Sequence, residues 1–320
     1  MKLLSIYIVF GSSFFFFLGQ GQTKEELEIN TNLITYDLDN YWEAYELFQK
    51  DTANAISIFN AYYFDKASPG LKDYFSKKIH STEAFVKGQR KRADLYKAIK
   101  SNTYNINTKK LQITEGMNRF KTMYPEVIFP NVYFMVGNFN SAGTISDKGL
   151  LIGIDQIARS ENIPTHELSF GEKNNFRDID ELPHIVIHEL VHFQQDINFE
   201  ERRLLYAAIG EGLADFLADM FTGTTSKKHL NEFAKGKEVE IWERFKKEML
   251  LTNTTRNWLS NADTATEEWP ADLGYWMGHK ICKAYYEEQE DKKEAIRYML
   301  KLPSVKIEEF LKESKIEEKL

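Results

Sequence analysis

One stretch constrains this chain more than any other: His184-Ile185-Val186-Ile187-His188-Glu189-Leu190-Val191-His192. Its apolar residues call for burial, and its histidines recur every four residues, so a helix would carry all three along one face. Groups of that kind inside a core must find partners or a metal. His188 and His192, one turn apart, can each direct a ring nitrogen at a single zinc ion at about 2.0–2.1 Å. Glu189 follows the first ligand and sits where it can take a proton from water activated at the metal. His184 lies one turn earlier, but three histidines at this spacing span about 12 Å of helix axis, too far for one ion. It reads as a polar residue of the helix start. Gln194 and Gln195, just past the motif, read as polar residues of the helix end.

An open zinc site needs a third protein ligand, and two His with one Glu is a known set. The pattern predicts a second helix from about Glu201 to Thr222, closed by Gly223. Glu211 on that helix supplies the carboxylate, and Asp215, one turn on, could accept the free ring N–H of His188 and fix its tautomer. Gly210 and Gly212 flank Glu211, and each lowers helix stability by about 1 kcal/mol relative to alanine. Close approach of the two helices would account for both.

The paired motifs resemble those of the glutamate-zincin metallopeptidases, the thermolysin-like group. More narrowly, His188-Glu189-Leu190-Val191-His192-Phe193-Gln194-Gln195 and Glu211-Gly212-Leu213-Ala214-Asp215-Phe216 resemble the zinc-dependent protease-like family related to gliding-motility lipoprotein B of bacteria. Phe139-Asn140-Ser141-Ala142-Gly143-Thr144 to Ile154 and Pro270 to Gly278 are further points of similarity, so the likeness covers most of the chain after Pro125. It implies a mainly helical α+β gluzincin fold with a small mixed sheet. It also implies one Zn2+ per chain on His188, His192 and Glu211, with Glu189 as general base in peptide hydrolysis. In the resembled group a Tyr or His from outside the metal helices steadies the oxyanion. Tyr275 and His279 are the candidates here, and Tyr275 is the choice. The chain departs from the family in having no cysteine after its apolar leader, where a lipid would be attached.

Around this centre the rest is ordinary. Met1-Lys2 and the apolar run Leu3 to Leu18 read as a signal peptide over residues 1–21, with a retained N-terminal anchor as the alternative. Residues 22–124 read as helical, with Asp39 and Ser81 as helix caps and Ser68-Pro69-Gly70 as a turn. Residues 125–320 carry the metal motifs, and the two parts are expected to form one unit. Val127 to Phe129 and Val132 to Val136 are β-rich, and Asp147-Lys148-Gly149 reads as a hairpin turn that could present an edge strand to a peptide. With one cysteine, Cys282, no disulfide can form within the chain. The net charge of -7, spread without basic blocks, excludes a nucleic-acid surface. Export to the periplasm or beyond, a peptide or protein substrate and no membrane span after leader removal complete the expectation. Two rivals stay open: a catalytically silent zinc-binding protein with an envelope or assembly partner, and a metal-free scaffold. His80, His166 and His229 fit no ligand spacing and are read as surface residues.

Overall fold

In the computed structural model, which describes residues 31–320 apart from Ile197, Phe199 and Ser226, helices surround one small mixed sheet, an α+β arrangement. The leader expected over residues 1–21 lies outside the described residues. The strands β1 (Leu33–Ile34), β2 (Asn131–Met135), β3 (Gly143–Ser146) and β4 (Gly149–Gly153) lie in the order β1-β2-β4-β3. β1 and β4 flank β2 in parallel, and β3 pairs antiparallel with β4 at the edge, Ile145 opposite Leu150. The hairpin turns at Asp147-Lys148, and Gly149 enters β4 at φ +138°. A Cβ there would stand 2.1 Å from the Asn131 carbonyl oxygen, so both backbone conformation and strand approach require glycine. Two details correct the sequence reading. β1 was not foreseen, and the run Val127 to Phe129 forms no strand. Instead the Gln194 side-chain amide grips Ile128, accepting its N–H and donating to its carbonyl, both at 2.9 Å.

The first N-terminal helices cover one side of the sheet, and the last of them, Ile106–Met123, packs with the helices of the other side. α1 (Tyr36–Lys50) buries Leu38, Tyr41, Trp42, Tyr45 and Phe48 at helical spacing. It begins at Tyr36, not after Asp39, whose carboxylate accepts the Tyr104 hydroxyl instead. Ser68 is a helix cap rather than a turn: its hydroxyl accepts Leu71 N–H and Pro69 fills the first helical position of Pro69–Tyr74. Ser81 caps α2 (Thr82–Lys91) as expected; the sequence pattern would carry Phe85, Leu95 and Ile99 on one helix, but α2 stops at Arg92 and Leu95 and Ile99 lie beyond it. α3 (Ile106–Met123) carries Phe120 onto Phe221, with ring centroids 4.7 Å apart.

The other side holds α4 (Leu182–Gln194), α5 (Leu204–Thr222), α6 (Glu238–Glu248), α7 (Leu273–Glu288), α8 (Lys292–Leu300) and α9 (Ile307–Ser314). α4 follows a capping box formed by Asp178 and Glu181 and tolerates Pro183 in its first turn. It packs against β3, β4, α3 and α5. α5 starts at Leu204 rather than Glu201 and ends on Gly223 in the left-handed conformation, φ +71°. α5 meets α7 backbone to backbone. A Cβ on Gly212 would stand 2.1 Å from the Gly278 carbonyl carbon, and one on Gly278 would stand 1.7 Å from Ala208 O. One cluster of buried apolar side chains runs from Leu38 to Ile316 and joins both sides into a single core.

Candidate metal centre

α4 and α5 run antiparallel with a shared four-residue repeat, and the repeat makes three rungs. His192 meets Glu211, His188 meets Asp215, and His184 meets Asp219. The first two rungs build the centre. His192 Nε2 lies 3.0 Å from His188 Nε2 and 3.2 Å from Glu211 Oε2, and His188 Nε2 lies 3.5 Å from the same oxygen. Zinc bound at about 2.0–2.1 Å in a tetrahedron needs ligand atoms roughly 3.3 Å apart. The donor set and its spacing therefore fit that ion, and they are the three residues the sequence singled out.

The outward nitrogens are also engaged. His188 Nδ1 is 2.8 Å from Asp215 Oδ1, the pairing expected from the spacing. His192 Nδ1 is 2.7 Å from Gln195 Oε1, and the Gln195 amide donates to Gly210 O at 2.9 Å. Gln195, taken as a helix-end residue, is thus the partner of the second histidine. α4 ends there, and the extended backbone of Gln195 (φ -71°, ψ 138°) turns its side chain back toward His192. Asp215 Oδ2 in turn accepts Lys227 Nζ at 2.7 Å, and the same ammonium sits 3.4 Å over the Tyr275 ring. Lys227, missed in the sequence, reaches this position from a left-handed backbone conformation just before the short helix Lys228–Ala234.

Electrostatics follow from these contacts. Burial pulls His188 down, but the Asp215 carboxylate and the bonds to Asp215 and Glu211 outweigh it and raise the imidazole to about 10. His192 is likewise raised against its burial, chiefly by Glu211. Burial raises Glu211, yet the two histidines hold it well below the usual carboxylate range. Glu189 is the exception. Buried against β3, where a Cβ on Gly143 would fall 2.4 Å from its Oε1, it is pushed up by desolvation.

The remaining candidates separate clearly. Tyr275 lies beside the centre, its ring 6.4 Å from that of His188 and nearly parallel, and burial followed by Glu211 pushes its phenol well up. His279 faces away, to Asp219 Oδ2 at 3.2 Å. His184 is no loose helix-start residue: it is buried and 2.9 Å from Asp219 Oδ1. That rung was legible, since 184, 188 and 192 rise in the same steps by which 219, 215 and 211 fall. His80, His166 and His229 are exposed. On the His192–Glu211–Tyr275 side the centre opens into a cavity of about 500 Å³.

A family model described as gliding motility protein GldB matches residues 20–317. No curated protein matches the chain, and no solved structure does.

Proposed function

Since the chain belongs to the gliding motility protein GldB family, we propose that it is an exported zinc-binding protein of the cell envelope, with one ion per chain on His188, His192 and Glu211. The observation that carries this reading is the convergence of three ligand atoms at 3.0–3.5 Å, with the far nitrogens of both histidines held by Asp215 and Gln195. Such outer partners orient ring ligands and strengthen them as donors. The apolar leader supports export, and among the described residues no helix is long and apolar enough to cross a membrane. Residues 22–124 and 125–320 would then act as one unit, the first bracing the sheet against which α4 rests.

Metal content of protein purified without added metal, measured by mass spectrometry for wild type and Glu211→Gln, tests this. One zinc per chain, lost or strongly weakened in the variant, is expected. A wild type that stays zinc-free after zinc is offered sinks the reading.

One observation favours a second reading, a zinc-dependent peptidase of the gluzincin type: the centre keeps a side open to a cavity, and Glu189 neighbours the ligands. Bound zinc would supply Lewis acidity to a water and to a carbonyl oxygen. Glu189 would accept a proton and pass it to the leaving amine, its raised pKa bringing it nearer the working pH. Tyr275, kept protonated by burial, would donate to the carbonyl oxygen as charge develops. Turnover of a peptide mixture that disappears in Glu189→Gln while zinc is retained would decide for the enzyme. No turnover by zinc-loaded wild type would leave the silent binding protein. Unchanged kcat in Tyr275→Phe would remove Tyr275 from the mechanism.

A further inference from the structure

The outward nitrogens of the two ligand histidines rest on acceptors that are themselves held at a second atom. Gln195 meets His192 Nδ1 at 2.7 Å through its oxygen and is tied to Gly210 O at 2.9 Å through its amide. Asp215 meets His188 Nδ1 at 2.8 Å through Oδ1 and accepts the Lys227 ammonium at 2.7 Å through Oδ2. One turn further along α5 the pattern repeats away from the metal position. Asp219 has His184 at Oδ1 and His279 at Oδ2. Lys227 is to Asp215 what His279 is to Asp219, but only the Asp215 rung carries a ligand.

Three further observations concern Lys227. Its backbone stands at φ 51°, ψ 37°, the left-handed region that a residue with a Cβ seldom enters. Lysine lacks the short polar side chain by which asparagine or aspartate steadies that conformation locally, so a tertiary contact must hold it. Its side chain is 12% exposed and that of Asp215 8%, so an ammonium, rarely buried unless paired, is drawn in to make this contact. The Tyr275 ring, 3.4 Å from the ammonium, offers the charge a second favourable face.

We propose that Lys227 is a positioning residue of the metal centre: it pins Asp215 Oδ2 so that Oδ1 stays on His188, and thereby sets how tightly zinc is held. The inference rests on the zinc reading above but not on catalysis. A carboxylate held at one oxygen only is free to rotate, and in rotating it releases the His188 ring. Held at both, it keeps that ring turned with Nε2 on the metal position, the work of an outer partner.

The test is zinc affinity at neutral pH, measured by competition with a chromophoric chelator. Lys227→Met, which keeps the stem and removes the charge, should weaken zinc binding about tenfold. Lys227→Arg, which restores a cationic donor, should bring affinity back to within about threefold of wild type. A double-mutant cycle separates positioning from folding: in an Asp215→Ala background, Lys227→Met should change zinc affinity by less than about twofold. His279→Ala breaks the equivalent contact on the rung that holds no ligand, and should leave affinity within about twofold of wild type. Lys227→Gly removes the ammonium and relieves the left-handed backbone, so it repeats the test should Lys227→Met not fold. Zinc bound as tightly by Lys227→Met or Lys227→Gly as by wild type overturns the inference and leaves the zinc reading standing. An equal loss from Lys227→Met with and without the Asp215 carboxylate also overturns it, because Lys227 would then act on the fold and not through Asp215. A wild type that takes up no zinc overturns both readings.

Discussion

Asp155 and Glu211 are both carboxylates drawn in from solvent, but their neighbours differ in kind. Around Asp155 each partner is a donor: the N–H groups of Gly137 and Phe139 at 2.8 Å and the Tyr96 hydroxyl at 3.2 Å. Tyr63 and Tyr74 finish the job nearby by donating to Val136 O and Ser141 O, so the loop leading into β3 is held by hydrogen bonds from uncharged donors. Around Glu211 the partners are two imidazole nitrogens whose opposite edges are already committed to Asp215 and Gln195. Lone pairs there face one another unless a cation or protons lie between them. In the metal-free protein protons can take that place: against its burial, the Asp215 carboxylate first, and then the bond to Glu211, raise His188 to about 10. A satisfied cluster holds a loop, and a convergent one has the donors for the zinc proposed above.

The contrast breaks most readily at Asp155. Asp155→Ala strands the N–H groups of Gly137 and Phe139 and leaves the Tyr96 hydroxyl only Gly137 O, so urea unfolding should show a loss of about 4 kcal/mol, with one zinc still bound per folded chain. Retained stability would mean that the loop is held by something else.

Next comes the metal itself. Zinc at a hundredfold excess over its Kd should stabilise the protein by about 2.7 kcal/mol, and His192→Ala should abolish the effect in thermal melts. The pH dependence sharpens this. The raised pKa of His188 stabilises the metal-free fold below its ordinary 6.5, and that contribution is lost as pH climbs through about 10. Zinc competes with the same protons, so its affinity should rise over that interval while the metal-free protein weakens. A flat zinc affinity between these limits would contradict the protonated centre.

A smaller effect is expected one layer out: Gln195→Ala should weaken zinc binding about tenfold with little change in the melting of metal-free protein. Smallest of all, Lys66→Ala, which breaks an exposed pair with Glu43, should shift stability by less than about 0.5 kcal/mol. A larger loss there would mean that surface pairs matter more in this chain than either buried cluster suggests.

The centre was readable in the sequence to the extent that it is periodic. His188, His192, Glu211 and Asp215 repeat at one helical turn, and helix geometry alone brings them together. Gln195 and Lys227 were not readable, because their roles depend on how the backbone leaves a helix and enters the next one. The meaning of Gly210 and Gly212 was half read. Close approach explains Gly212, but Gly210 faces open space, and only the position of α7 distinguishes them. In the fold, the β3–β4 hairpin announced itself through its turn. β1 did not, since two residues carry no alternation and gain their partner from β2, far along the chain.

Cys282 has a use that its chemistry does not suggest. It is the chain's single cysteine, fully buried one turn past Gly278 on α7, with its Sγ 3.7 Å from Ile209 O on α5. Burial pushes the thiol up, so little thiolate forms even at alkaline pH. An alkylating reagent can reach it when the packing around α7 opens, and α5, the helix α7 meets most extensively, carries Glu211. The molecule therefore contains its own stopwatch: the rate of thiol modification reports opening around the carboxylate helix, with no label introduced and no competing thiol to correct for.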